Sequence, residues 1–199
     1  MPASGSSATR SILGSELSSS ARSLAIGAIF AALCLAGTAH AKVFYSKTEA
    51  LELAFPKADR VDEKSVLLDD AQAARVEQLA KSRLESRLVR LYTGYRGGEL
   101  LGYAFIDVHT VRTLPEAFMV VLSPAGAVRD LRLLAFHEPL EYMPSARWYR
   151  QFESKTLAAP LRLGGDVHGI VGATLSSRAA TEGVRRALAL YQVVVPHPE

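Results

Sequence analysis

From Ser46 onward the apolar positions switch repeatedly between helical and strand spacing, and those switches outline the fold. Ser46-Lys-Thr-Glu49 is a capping-box pattern ahead of Ala50, Leu51, Leu53 and Ala54, which predicts a short helix ending at Pro56. Val61 to Leu68 reads as a strand. Asp69-Asp70-Ala-Gln72 then caps a second helix with Ala73, Val76, Leu79 and Ala80 on one face. Leu88 to Arg96 and Leu100 to Val108, joined at Gly97-Gly98, form a β-hairpin pattern. Ala117 to Leu122 and Val128 to Phe136 flank Ser123-Pro-Ala-Gly126 and predict a second hairpin. Pro144 opens a short aromatic helix with Trp148, Tyr149 and Phe152. The last helix is expected from about Ser176 to Val193, with Ala180, Val184, Ala187, Leu188 and Tyr191 at core spacing. Its opposite side carries Arg178, Glu182 and Arg185, which are expected to face solvent. Hairpins grouped in mid-chain with helices at both ends imply an α+β fold built on an antiparallel sheet.

The first part of the chain changes where that fold is expected to reside. Arg10 and Arg22 give a basic leader, Leu24 to Gly37 is a nearly unbroken apolar run, and Ala39-His40-Ala41 is a small-x-small cleavage pattern. The run is shorter than the roughly 20 residues a helix needs to cross a bilayer, so residues 1–41 read as a signal peptide. The expectation is cleavage after Ala41 and a periplasmic or otherwise extracytoplasmic product, Lys42 to Glu199, forming one domain. The alternative is an uncleaved leader that anchors the protein in the inner membrane. Leu33 precedes Cys34, so the cysteine is not in a lipobox.

Charge and cysteine content narrow the chemistry. The formal net charge is +3 and the charges are interspersed, which gives no footprint for nucleic acid. The single cysteine lies in the leader, so the mature domain has no disulfide, thiolate nucleophile or iron–sulfur ligand. Any redox chemistry would have to be carried by a bound cofactor.

The densest candidate chemistry is Asp166-Val-His-Gly-Ile-Val-Gly-Ala-Thr174-Leu-Ser-Ser177, a glycine-rich turn running into the last helix. Gly169, Gly172 and Ala173 allow close approach of backbone to a ligand. A helix start presents unpaired N–H groups and the positive end of the macrodipole, which suits a phosphate held on, or bonded to, Thr174. The turn resembles the flavinylation motif of the FMN-binding domain family, which includes the flavin-carrying subunits of the sodium-translocating NADH:quinone reductase and of the Rnf complexes. That motif runs Asp, any two residues, Ser or Thr, Gly, Ala, then the hydroxyl residue that is joined to FMN through a phosphoester. Gly172, Ala173 and Thr174 match it, and Leu175-Ser176-Ser177 continues it. His168 stands where the Asp belongs and Val171 replaces the hydroxyl residue; Asp166 lies too early to take the Asp's place without a shifted loop.

The resemblance implies FMN as cofactor, a separate FMN transferase that uses FAD, and redox partner proteins, soluble or membrane-bound. The protein would then be an electron carrier rather than an enzyme acting alone. It also implies that Gly172, Ala173, Thr174, Leu175, Ser176 and His168 lie at the cofactor, with Glu138 and Pro139 resembling a Glu- and Pro-containing segment near it. Arg112 and Thr113, at the exit of a hairpin strand, offer donors for a phosphate or ribityl chain. Tyr103, Phe105, Tyr142 and Trp148 are candidates to stack on an isoalloxazine ring, with core positions as the alternative. His137-Glu138 lacks the second histidine of a zincin, and His109, His137 and His168 match no ligand spacing, although a metal-chaperone reading stays open. The rival to the flavoprotein is a module that binds a ligand non-covalently, or binds proteins, having lost flavinylation.

Overall fold

The computed structural model describes residues 42–196; the leader, with Cys34 and the cleavage pattern, lies outside them. Six strands form one antiparallel sheet: β1 (Lys42–Val43), β2 (Arg60–Leu67), β3 (Leu88–Arg96), β4 (Glu99–Thr110), β5 (Pro115–Leu122) and β6 (Val128–Phe136), in the order β1-β6-β5-β4-β3-β2. Among the described residues four α-helices accompany it: α1 (Lys47–Ala54), α2 (Asp70–Ala80), α3 (Ala146–Tyr149) and α4 (Thr174–Val194). The class is α+β, as the grouping of hairpins and helices predicts.

Local chemistry explains most of the element boundaries. Ser46 accepts from the Glu49 N–H while Glu49 returns to the Ser46 N–H, and Asp69 and Gln72 repeat the exchange at α2. Each box supplies partners for N–H groups that a helix start would leave bare. Gly97 and Gly98 turn β3 into β4 with φ of 56° and 84°, the positive values that a tight hairpin needs at both central residues. Between β5 and β6 the Gly126 N–H donates to the Ser123 carbonyl at 2.9 Å. Gly126 also lies flat against the Tyr191 ring, where no side chain would fit.

The sheet is covered on both faces, which explains why Ala117 to Leu122 reads as a continuous apolar run. On one face Phe105, Phe118, Val120 and Leu131 pack under α2 and α4. On the other, Tyr92, Ala104, Met119 and Val121 pack against Ala50, Ala54 and Phe55 at α1. The expected core positions Ala180, Val184, Ala187, Leu188 and Tyr191 are all buried.

Two expectations need correction. The last helix begins at Thr174 rather than near Ser176, because the turn closes earlier, with Ala173 donating to the Ile170 carbonyl at 3.1 Å. Glu182 and Arg185 are only half-exposed, because Arg185 donates back to the Pro160 and Leu161 carbonyls at 2.9 and 3.2 Å.

Candidate functional site

The glycine-rich turn is held from both ends. Asp166 accepts the N–H groups of Leu161 and Arg162 at 3.2 and 2.8 Å and pairs with Lys155 at 3.0 Å. Burial works to raise its pKa, but those backbone donors and Lys155 prevail and hold it down at about 2. Its carboxylate is therefore committed inside its own loop. Further along, the His168 N–H donates to Gln151 Oε1 and the Trp148 indole N–H donates to the His168 carbonyl, each at 2.7 Å. Trp148, offered as a ring-stacking candidate, thus clamps the turn and packs on the core. Gly172 adopts φ of 85° with open space where a side chain would begin. That reversal delivers the chain into α4.

The start of α4 differs from the starts of the other helices. α1, α2 and α3 carry the side-chain oxygens of Ser46, Asp69 and Ser145 on their first turns, whereas the N-cap of α4 is Ala173 and gives none. Thr174 is the first helical residue, so it is not a cap. Among the described residues the N–H groups of Thr174, Leu175 and Ser176 find no protein acceptor. The longest helix of the domain therefore presents a bare positive end.

These residues form one wall of a pocket of about 180 Å³. Gly172, Ala173, Thr174, Leu175 and Ser176 face Val111, Arg112, Glu138 and Tyr142 across it. Glu138 is 5% exposed, and its Oε1 accepts the N–H groups of Arg112, Thr113 and Leu114 at 3.1, 3.0 and 3.1 Å. Burial alone would raise its pKa; the three donors outweigh it and hold the carboxyl below the usual carboxylate range. This fixes the loop after β4, and with it Arg112, whose guanidinium lies 5.0 Å from the centre of the Tyr142 ring. The arrangement combines a helix start, a fixed arginine, an exposed threonine hydroxyl and one aromatic face. Chemically it suits an anionic group such as a phosphate.

Of the residues singled out in the sequence, the pocket brings together Gly172, Ala173, Thr174, Leu175, Ser176, Glu138 and Arg112. Thr113 stands behind it and contributes only its N–H to Glu138. His168 is exposed and outside the lining; its backbone rather than its ring is engaged. Tyr142 is the one proposed stacking residue in the lining. Tyr103 meets Tyr191 edge-on at 5.4 Å, and Phe105 is 1% exposed in the main core, so neither is available to a ring. His109 lies buried, His137 Nδ1 sits 2.9 Å from the Pro115 carbonyl, and the described residues include no cluster of three His, Cys, Asp or Glu arranged to hold a metal.

One group of residues escaped the sequence reading. Behind the pocket, Asp107 takes a two-pronged contact from Arg186, Nε at 2.7 Å and Nη2 at 2.6 Å, and its Oδ2 lies 2.7 Å from His109 Nδ1. Glu116, fully buried, faces the other side of the same imidazole at 3.6 Å. A faint signal existed: Phe105, Asp107 and His109 alternate onto one face of β4, and Arg186 interrupts the apolar stripe of α4 between Val184 and Leu188. No helix among the described residues is long and apolar enough to cross a membrane. Comparison of the chain with protein-family models and with curated protein sequences found no match.

Proposed function

We propose that this protein is an exported flavoprotein that carries electrons on FMN, with the cofactor's phosphate at the start of α4 and ester-bonded to Thr174. The observation that carries this reading is the pocket itself. Residues distant in sequence, Arg112 and Glu138, meet a turn whose Gly172-Ala-Thr174 resembles the flavinylation motif, at a helix start that lacks any protein acceptor. The three free N–H groups and Arg112 would hold the phosphate. A volume of about 180 Å³ suits the phosphate and the start of the ribityl chain. The ring would then lie at the mouth, beside Tyr142 and the exposed Leu175, open to redox partners. In the attachment step the Thr174 oxygen bonds to the FMN phosphorus of FAD, AMP leaves, and the hydroxyl proton passes to solvent; a separate FMN transferase would catalyse it. A tethered cofactor suits a protein outside the cytoplasm, where a free one would diffuse away.

The rival reading, a module that binds a ligand without covalent attachment or binds proteins, is favoured by His168. It is exposed where the motif carries an Asp, and Asp166 cannot replace that Asp while it caps its own loop. Protein produced with an FMN transferase separates the two. A covalent flavoprotein stays yellow through denaturation and gel filtration, whereas colour lost at that step leaves the non-covalent module.

A further inference from the structure

The buried group behind the pocket has an unusual balance of charges and partners. Arg186 and Asp107 neutralise each other through their two-pronged contact. Asp107 also takes the Nδ1 side of His109, which leaves Nε2 directed at Glu116. Glu116 is 0% exposed, and neither of its carboxylate oxygens, nor His109 Nε2, nor the hydroxyl of Tyr149 has a hydrogen-bond partner. Buried polar atoms normally have partners, so four orphaned ones in one place call for a reason. Phe118 walls the group, stacked on His109 at 5.5 Å and edge-on to Tyr149 at 5.7 Å. The group adjoins the pocket through short pieces of chain: His109 precedes Val111 of the lining, and Glu116 follows Leu114, whose N–H is bound by Glu138.

We propose that His109 and Glu116 form a buried proton-binding pair coupled to the pocket, gaining proton affinity when negative charge enters it and losing affinity when that charge leaves. The inference deepens the reading of the pocket as an anion site and rests on it. Physically, the pair has places for two protons beyond the Nδ1 proton given to Asp107: one on His109 Nε2 and one on Glu116. With one in place on His109 Nε2, it is an ion pair at 3.6 Å. Burial works to lower the His109 pKa, but Asp107 and Glu116 outweigh it and raise it to about 9; burial pushes the Glu116 carboxyl up, with His109 partly opposing. The charged or titratable groups facing the pair are Asp107 on β4, Arg186 on α4, Tyr149 on α3, and Glu138 after β6, with Glu85 and Glu182 acting on Arg186 from further out. Glu138 already raises the proton affinity of Glu116 from the pocket wall. A phosphate or a reduced, anionic flavin would act in the same direction. For a carrier this supplies the compensating proton in the protein rather than on the ring.

The test places the charge by substitution, so it needs no ligand. The proton-binding steps of His109 and Glu116 are followed by carbon and nitrogen NMR against pH in the full mature domain. Thr174→Glu should raise both steps and Thr174→Arg should lower both, each by about 0.5 pH units, as expected for a unit charge acting through partly solvated protein. Glu138→Gln, which keeps an oxygen for the three N–H groups, should lower both. Glu116→Gln should remove one step and lower the other. Steps that stay within 0.1 pH units across the Thr174 and Glu138 variants would overturn the coupling and leave the pair purely structural. Addition of FMN to the unmodified protein is scored separately. Binding without any shift defeats the proton pair alone, and shifts in the charge variants without FMN binding defeat the flavin reading alone.

Discussion

Arg186→Met tests whether the buried polar group belongs to the architecture of the domain. Arg186 is 5% exposed, and its guanidinium supplies two of the three close partners of Asp107, at 2.7 and 2.6 Å. Methionine keeps much of the apolar stem, so the lost packing is small, and the cost falls on Asp107. Breaking a buried pair by removing one partner typically costs about 3–5 kcal/mol, because the remaining charge stays buried. His109 remains 2.7 Å from Asp107, which places the expectation at the lower end, about 3 kcal/mol. With a urea slope of about 1–3 kcal/mol per molar, the unfolding midpoint should fall by roughly 1–3 M. The double variant Asp107→Asn/Arg186→Met should recover part of the loss, since no orphaned charge remains. A single-variant change under about 1 kcal/mol, or a double variant as costly as the sum of both single changes, would refute the coupling between the two side chains.

Other outcomes follow from the same structure. Leu188 is 1% exposed between α4 and the sheet, so Leu188→Ala should cost about 2–5 kcal/mol in a denaturant titration; a loss below half a kcal/mol would mean that the site collapses freely. Stability against pH should decline on both sides. His109, raised from 6.5 to about 9 in the folded state, contributes stability that is complete below 6.5 and lost as pH rises through 9. Asp107 and Asp166, lowered from 3.8 to about 2, contribute stability that is present above 3.8 and lost as pH falls toward 2. Urea midpoints measured from pH 2 to 10 check both arms, and His109→Gln should flatten the alkaline one.

The parts of the fold that were legible in the sequence are those decided by neighbours in the chain. Ser46 with Glu49, Asp69 with Gln72, and the Gly97-Gly98 turn each settle their element with residues a few positions apart. The apolar run Ala117 to Leu122 likewise reads as a hairpin strand from its own residues, and the structure places it in β5. What could not be read depends on partners far away. Arg186 breaks the apolar stripe of α4 with no partner near it in the chain; the sheet register brings Asp107 beneath it, 79 positions distant. The start of α4 was misplaced because an alanine, not a hydroxyl or carboxylate, holds the N-cap position. At the site, the turn was visible as a motif, and its meeting with Arg112 and Glu138 rested only on resemblance and residue type. That meeting is produced by the ends of β4 and β6 lying on either side of β5.

Attachment of FMN to Thr174 is tested most directly by intact mass spectrometry of the protein exported from cells that also produce an FMN transferase. The wild type should show a species heavier by one FMN less one water, and Thr174→Ala should show none. His168→Asp, which restores the carboxylate of the motif, should increase the modified fraction. A modified species that persists in Thr174→Ala would move attachment to another residue, with Ser176 and Ser177 next to be changed. Unmodified protein in all three samples, with no FMN bound reversibly either, would contradict the account.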